Sequence, residues 1–210
     1  MIRSEDEAQA FVAERCDEEA MGRLRRLAAM LVEENAQQNL VSAASLDYVW
    51  QRHIADSAQL LEFFESQTEG PLIDLGSGAG FPGLVLAAMR PDLEIILIES
   101  RRLRVEWLSD CIATLGLDQC TVQGRRVELV PDLKAGIITA RAFAPMPKLV
   151  KLAIRFSTDD TLWLLPKGRS AAQEVADLPA NLRAMFHVEQ SLVDPEAGIV
   201  VGRVAETGWK

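Results

Sequence analysis

Alternating glycines and two nearby carboxylates form the most distinctive pattern in this sequence. In the segment LIDLGSGAGFPG, an apolar run leads into Gly76, Gly78 and Gly80. Glycines let a backbone turn tightly and approach a bound molecule closely, and the free N–H groups of a following helix can contact that molecule. Asp74 precedes the loop, and Glu99 ends the next apolar run, about 20 residues further on. Because a carboxylate at that position can accept the hydroxyls of a ribose, the pattern predicts a nucleoside-binding site.

Two classes of nucleoside-binding protein fit this loop. Three glycines starting at Gly78 satisfy G-x-G-x-x-G, the pattern of NAD-dependent oxidoreductases. The glycine that directly follows the apolar run is Gly76, however, and the pattern in that register is D-x-G-x-G-x-G, beginning at Asp74. This pattern resembles motif I of the class I S-adenosylmethionine-dependent methyltransferases, with Glu99 similar to their ribose-binding acid. We favour a methyltransferase and keep an NAD-dependent oxidoreductase as an alternative.

The elements that must position this loop are predicted by an alternation of apolar runs and amphipathic stretches after Gly70. Short apolar runs occupy 72–75, 94–99, 120–123 and 136–140, and further strands are predicted at 161–166, 187–193 and 198–204. Strands that alternate with helices indicate a parallel sheet covered on both faces. We therefore expect an α/β, Rossmann-like, doubly wound and mostly parallel seven-stranded sheet with an antiparallel C-terminal edge, the class I methyltransferase fold, over residues 67–210.

The first 66 residues lack such runs and predict an N-terminal helical cap. Ser4 and Glu7 fit a capping box, and Leu24, Leu27 and Leu31 form an apolar stripe. We expect Trp50, Trp107 and Trp163 to lie in the core, because each occurs in an apolar pattern.

The amino-acid composition excludes some classes of protein. The chain has 210 residues, 49% of them hydrophobic, with 22 basic and 31 acidic residues and a net charge of −9. This charge disfavours nucleic acid as a partner, yet residues 101–169 contain 12 basic and only 7 acidic residues. No apolar stretch approaches the roughly 18 residues of a membrane span. The sequence has three cysteines at no metal-ligand spacing, and its acidic start lacks an apolar leader. We therefore expect a cytoplasmic protein that binds neither a metal nor a membrane. We also expect it to be a monomer.

The residue inventory also limits the acceptor of the methyl group. Carbon-5 pyrimidine transfer needs a nucleophilic cysteine, and Cys111 and Cys120 lie in a predicted helix and strand where they read as small buried hydrophobes. An Asp/Asn-Pro-Pro-aromatic motif for amino-group transfer is absent after the fourth run, where RAFAPMPK stands. Guanine N7 needs neither deprotonation nor covalent activation, since its lone pair is free. The inventory permits this acceptor and leaves a small-molecule substrate open.

Five segments carry a resemblance to one family. NLVS, RHIADS, LIDLGSGAGFPG, ITARAFAP and LLPKG occur in this order and at similar spacing, and the sequence resembles the RsmG (GidB, glucose-inhibited division protein B) family over about residues 20–204. The resemblance implies S-adenosylmethionine as cofactor, S-adenosylhomocysteine as product, and 16S rRNA of the small ribosomal subunit as partner. It implies methyl transfer to N7 of the guanine at position 527, in the 530 loop.

The resemblance and the motif together give a set of site residues. Those expected to bind the cofactor are Asp74, Gly76, Gly78, Gly80, Phe81, Glu99, Val127, Glu128 and Arg141. Arg141 is also expected to position the base or the cofactor, and His53 and Asp56, three residues apart on one helix face, are expected to assist catalysis. Lys167 resembles a family lysine near the open face. The basic residues expected to contact RNA are Arg101, Arg104, Arg125, Arg126, Lys148, Lys167 and Arg169.

Overall fold

A seven-stranded sheet forms the centre of the protein. We analysed a computed structural model, which describes residues 1–65 and 69–204. Its strands are β1 (Leu72–Leu75), β2 (Ile95–Ile98), β3 (Cys120–Gln123), β4 (Ile137–Thr139), β5 (Leu162–Lys167), β6 (Phe186–Gln190) and β7 (Gly198–Arg203).

The order of the strands is β3-β2-β1-β4-β5-β7-β6. The first five pair in parallel, while β7 pairs antiparallel with both β5 and β6. The predicted fold, including its antiparallel C-terminal edge, is confirmed. The strand order reverses between β1 and β4, and in open α/β sheets ligands bind beyond the carboxyl ends of the strands at such a switch point.

Helices cover both faces of the sheet. They are α1 (Glu5–Ala13), α2 (Glu18–Asn35), α3 (Ala43–Leu46), α4 (Asp56–Ala58), α5 (Gly83–Met89), α6 (Arg102–Leu115), α7 (Met146–Ala153), α8 (Ala171–Ala176) and α9 (Ala180–Arg183). Short 3₁₀ turns occupy Gln59–Phe63, Val127–Leu129 and Ile154–Phe156. Within the described ranges, no helix is long and apolar enough to cross a membrane.

Alternating strand residues divide the hydrophobic core into two clusters. Leu72 and Leu97 belong to the cluster that contains the buried residues of α2, α5 and α6. Ile73 and Ile98 belong to the cluster that contains those of α7 and α8. Successive side chains of a strand point to opposite faces, so each face of the sheet has its own core. Trp50, Trp107 and Trp163 are buried, as predicted.

The N-terminal helices share a core with the sheet. The predicted stripe of Leu24, Leu27 and Leu31 is fully buried in the cluster around α5. The boundary expected between residues 66 and 67 lies outside the described residues. Only half of the expected capping box forms: Ser4 accepts from the backbone N–H of Glu7, whereas the Glu7 carboxylate accepts from the N–H of Arg3 rather than of Ser4.

The predicted helix that carries His53 and Asp56 is not a regular α-helix. Residues Trp50–Ala55 form a π-helix that continues into α4. The carboxylate of Glu5 accepts from the N–H groups of Trp50 (2.9 Å) and Gln51 (2.8 Å), so a side chain of α1 satisfies amides at the start of this turn. π-helical turns are rare in proteins, and many of those that occur lie at functional sites.

Trp163 offers a test of the core on the α7 side of the sheet. It is fully buried, its indole N–H donates to Ser157 Oγ at 2.9 Å, and its ring meets Phe186 edge-on. We expect Trp163→Ala to lower the free energy of unfolding by about 3–5 kcal/mol through the cavity it leaves. Exposed Leu103→Ala is the control and should change it by less than about 0.5 kcal/mol. Urea unfolding measures both, and equal effects would contradict this packing.

Candidate functional site

The glycine loop lies beyond the carboxyl ends of β1 and β2. The N–H groups of Gly76 and Ser77 donate to the carbonyl of Ile98 at 2.8 and 3.1 Å, which fixes the start of the loop on β2. Gly76 has a φ of +66°, and a Cβ there would lie 2.4 Å from the ring of Phe143. The indole N–H of Trp107 donates to the carbonyl of Ala79 at 3.1 Å and holds the loop from α6. Hydrogen bonds with β2 and with α6 therefore fix the conformation of the loop.

Asp74 supports this loop from beneath. Its carboxylate is fully buried and accepts from the N–H of Gly83 at 3.3 Å and from the hydroxyl of Thr139 at 3.1 Å. Burial raises the pKa of Asp74 to about 6, although both hydrogen bonds oppose that shift. Asp74 lines neither cavity described below, so the structure places this expected cofactor residue under the loop, where it joins β1, β4 and the start of α5.

Glu99 holds the other side of the loop. One carboxylate oxygen accepts from the N–H of Gly78 at 3.1 Å, and the other accepts from the N–H groups of Ser100 (2.6 Å) and Arg101 (2.8 Å). Carboxylate oxygens have about four lone-pair sites between them. The carboxylate thus organises the backbone around it and keeps capacity for a further donor.

A cavity of about 550 Å³ opens beside Glu99 and the glycine loop. The 3₁₀ turn Val127–Leu129 forms part of its wall. Of the residues expected to bind the cofactor, those that line it are Gly76, Gly78, Glu99, Val127 and Glu128, while Asp74, Gly80, Phe81 and Arg141 do not. The structure therefore brings five of the nine together in one cavity.

Five of the seven basic residues expected to contact RNA line the same cavity, namely Arg101, Arg104, Arg125, Arg126 and Lys148. Arg104 also reaches the N-terminal helices, since its guanidinium donates to the carbonyl of Asn39 at 3.1 Å. The other two expected contacts lie elsewhere. Arg169 is exposed and paired with Glu196. Lys167 differs from the expectation of an open-face lysine, because its side chain is 7% exposed and its ammonium is bound by Glu174 at 2.9 Å.

A larger cavity of about 810 Å³ contains the three residues expected to be catalytic. Arg141 donates to a carboxylate oxygen of Asp56 and to Nδ1 of His53, each at 3.3 Å. His53 and Asp56 thus meet at Arg141 rather than pairing with each other. The ring of Phe81 stacks on His53 at 5.0 Å and lies 5.0 Å from the Arg141 guanidinium. Phe81 therefore packs against both His53 and Arg141.

His53 is neutral in this arrangement. Burial, together with the positive charges of Arg141 and Arg52, lowers its pKa to about 3. Arginine has no acceptor, so Nδ1 of His53 must carry the lone pair and Nε2–H must donate to Ser45 Oγ, 3.0 Å away. The imidazole consequently holds the guanidinium of Arg141 without adding a charge.

The two cavities adjoin at a short segment, which we call the partition: Ala142, Phe143 and Ala144 line both. Ala142 has a φ of +52°, a left-handed conformation that costs a residue with a Cβ about 1–2 kcal/mol. The sequence motif ITARAFAP contains the partition, but nothing in that motif indicates that it separates two cavities. Glu174, Ser45 and Arg52 also line the larger cavity and were missed by the sequence analysis.

Solved structures identify the class of this fold. A mutant of MtNAS in complex with S-adenosylmethionine superposes with a TM-score of 0.56 at 14% identity, covering 87% of this chain and 75% of that one. A putative O-methyltransferase from Klebsiella pneumoniae gives a TM-score of 0.55 at 15% identity, covering 85% and 90%. With the sheet order above, the fold is that of the class I S-adenosylmethionine-dependent methyltransferases.

Sequence comparison identifies the family. A family model described as rRNA small subunit methyltransferase G (GidB) matches residues 20–197. The Ribosomal RNA small subunit methyltransferase G of Erythrobacter litoralis is 58% identical over 203 residues, covering 97% of this chain and 98% of the relative. That of Novosphingobium aromaticivorans is 51% identical over 207 residues, covering 96% and 89%. The chain belongs to the rRNA small subunit methyltransferase G family, as the resemblance indicated.

The lowered pKa of His53 predicts how the stability of the protein depends on pH. The unfolded chain protonates this ring near pH 6.5, whereas the folded chain does so only near pH 3, so the free energy of unfolding falls as the pH drops below about 6.5. Between pH 7.5 and 5 we expect His53 to contribute a loss of about 2 kcal/mol that His53→Gln abolishes. Urea unfolding at the two pH values measures this difference.

The control is His187→Gln, because His187 is the second of the two histidines and lies exposed on the edge strand β6. His187 pairs with Glu189, but exposed ion pairs contribute little to stability, so this variant should lose no comparable part of the pH dependence. Other titrating groups, Asp74 among them, are common to all three proteins and cancel in the comparison. An unchanged pH dependence in His53→Gln would contradict the neutral, buried imidazole.

Proposed function

We propose that this protein transfers a methyl group from S-adenosylmethionine to N7 of the guanine at position 527 in the 530 loop of 16S rRNA. The observation that carries the proposal is the pair of adjoining cavities with a three-residue partition between them. One contains the glycine loop and Glu99, and the other contains the Arg141 cluster. Family membership supports an rRNA of the small subunit as the acceptor.

The smaller cavity has the chemistry that the cofactor requires. Gly76 and Gly78 line this cavity, and added Cβ atoms there would meet Phe143 and Arg104, so a side chain at either position would displace part of the cavity wall. Glu99 would accept a ribose hydroxyl, and Val127 and Glu128 would flank the adenine. One of the arginines that line this cavity would meet the amino-acid carboxylate. When bound, S-adenosylmethionine supplies an electrophilic methyl group on a sulfonium centre.

The larger cavity fits an acceptor that already carries a free lone pair. Cys111 and Cys120 line neither cavity, and burial raises the pKa of both thiols, which opposes a thiolate nucleophile. His53 is occupied by Arg141 and Ser45. Arg141, held by Asp56 and His53, presents a fixed guanidinium that would donate to the acceptor base and orient it. Alignment and exclusion of water would then supply the catalysis, without a covalent intermediate.

Basic side chains around the smaller cavity would bind rRNA phosphates next to the site of transfer. Arg101, Arg125, Arg126 and Lys148 line that cavity in a chain whose net charge is −9. Phosphate contacts position a nucleic acid, while base contacts specify it. Binding to unrelated RNA should therefore be weak, with recognition dependent on this local cluster and on the shape of the ribosomal substrate.

Mapping the transferred methyl group tests the proposed function. The protein is incubated with labelled methyl donor and with unmethylated small subunits, naked 16S rRNA or a metabolite extract. We expect label in the 530 loop in at least one RNA arm. Borohydride and aniline should cleave the strand at the labelled guanine, because borohydride reduces the cationic ring of an N7-methylated guanine and the reduced base is then lost from its ribose. Label confined to small molecules would contradict the proposal and favour a small-molecule methyltransferase.

Gly76 provides a test of the cofactor cavity. Gly76→Ala places a Cβ against the Phe143 ring in a left-handed backbone, so we expect S-adenosylhomocysteine affinity to fall at least tenfold, about 1.4 kcal/mol, by titration calorimetry. Gly22→Ala is the matched control, because nothing lies within 4 Å of its added Cβ in the helix α2. It should bind like the parent and gain about 0.5–1 kcal/mol of stability. Parent-like binding by Gly76→Ala would contradict the assignment.

A further inference from the structure

The ion pair between Lys167 and Glu174 connects three parts of the larger cavity. Lys167 ends β5 and Glu174 lies on α8, and their charged atoms are 2.9 Å apart. The Lys167 ammonium also donates to the carbonyl of Ala144 at 3.1 Å. The Glu174 carboxylate also accepts from the N–H of Met146 at 3.1 Å and from the hydroxyl of Ser170 at 2.9 Å. The two members of the ion pair thus form hydrogen bonds with the backbone on both sides of Pro145.

These contacts fix the C-terminal end of the partition. Its N-terminal end follows β4 and Arg141, which Asp56 and His53 hold. Between the two ends, Ala142 has its left-handed φ of +52° and the ring of Phe143 lies over Gly76. A strained backbone persists only where its surroundings determine it from several directions. The ion pair supplies that constraint at one end.

The environment of Lys167 also distinguishes it from the basic residues of the smaller cavity. Its side chain is 7% exposed, and that of Glu174 is 20% exposed. If the ammonium turned outward to a phosphate, a partly buried carboxylate would lose its counter-ion and the carbonyl of Ala144 would lose a donor, both of which are unfavourable. The contacts therefore favour a role inside the protein over the RNA contact expected from the sequence.

We propose that Lys167 and Glu174 are positioning residues that together clamp the partition and so set the alignment of the two cavities. This inference rests on the proposed function for its kinetic consequence. Breaking either half of the clamp frees the same backbone, so the two residues should act as a unit. Their loss should slow methyl transfer at saturation and leave rRNA affinity unchanged.

The test compares Lys167→Met, Glu174→Gln, the double variant and Lys167→Arg in single-turnover methyl transfer at saturating rRNA and donor. We expect each of the first two to slow transfer at least tenfold and the double variant to be no slower than the worse single variant. Lys167→Arg can donate to both partners and should recover most of the rate. Arg102→Gln, which breaks an exposed ion pair with Glu106 on α6, is the control and should match the parent.

An RNA contact would give a different pattern. Lys167→Met alone would then weaken rRNA binding with a salt slope shallower by about 1, and Glu174→Gln would bind as tightly as the parent. That result would overturn the clamp, as would parent-like transfer rates in both single variants. Lower melting temperatures with parent-like rates would assign the pair to stability alone and would equally overturn it.

Hydrogen exchange makes the clamp testable apart from the reaction. In both single variants we expect the peptide that contains Met146 to exchange faster than in the parent, with Arg102→Gln unchanged. Parent-like exchange would overturn the clamp whatever the activity. An inactive parent that nevertheless shows the expected exchange pattern would contradict the proposed function and leave the clamp supported, so the two failures are distinguishable.

Discussion

The buried carboxylate of Asp74 connects the glycine loop to the centre of the sheet. It lies on β1, accepts from Thr139 on β4 and accepts from the N–H of Gly83 at the start of α5. Burial disfavours the charged form of this carboxyl group and raises its pKa to about 6, so keeping it in the core costs free energy. In return, the two central strands and the glycine loop are held in one geometry at the point where the strand order reverses. A Cβ at Gly83 would overlap the side chain of Leu97 and lie 2.8 Å from this carboxylate, so a side chain there would displace both.

Charge is distributed locally rather than over the whole chain. The net charge of −9 disfavours a nucleic-acid partner, yet the smaller cavity is lined by four arginines and one lysine. Two arginines, Arg52 and Arg141, line the larger cavity, and the neighbours of Arg141 include a neutral imidazole and a carboxylate. Because electrostatic interactions between exposed groups are screened within about 10 Å at 0.1 M salt, this local arrangement matters more for a bound RNA than the average charge.

Strand positions could be predicted from the sequence, and the contacts between distant segments could not. The predicted strands at 72–75 and 120–123 coincide with β1 and β3. The strand β1 is buried along its whole length and reads as an apolar run, whereas the edge strand β3 buries only its first residue, Cys120. The π-helix at Trp50–Ala55 was predicted as an ordinary helix, since its start depends on Glu5 from another element. Spacing placed His53 and Asp56 on one face but gave no sign that both contact Arg141, more than 80 residues away. Lys167 was expected at an open face because a sequence does not reveal that Glu174 encloses it.

In the proposed mechanism, the cofactor and the acceptor base occupy the two cavities that Ala142, Phe143 and Ala144 separate. A crystal structure with bound S-adenosylhomocysteine tests it most directly. We expect density for the ligand in the smaller cavity, with a ribose hydroxyl at the Glu99 carboxylate and its adenine beside Val127. Ligand density in the larger cavity, against Arg141 and His53, would contradict this arrangement.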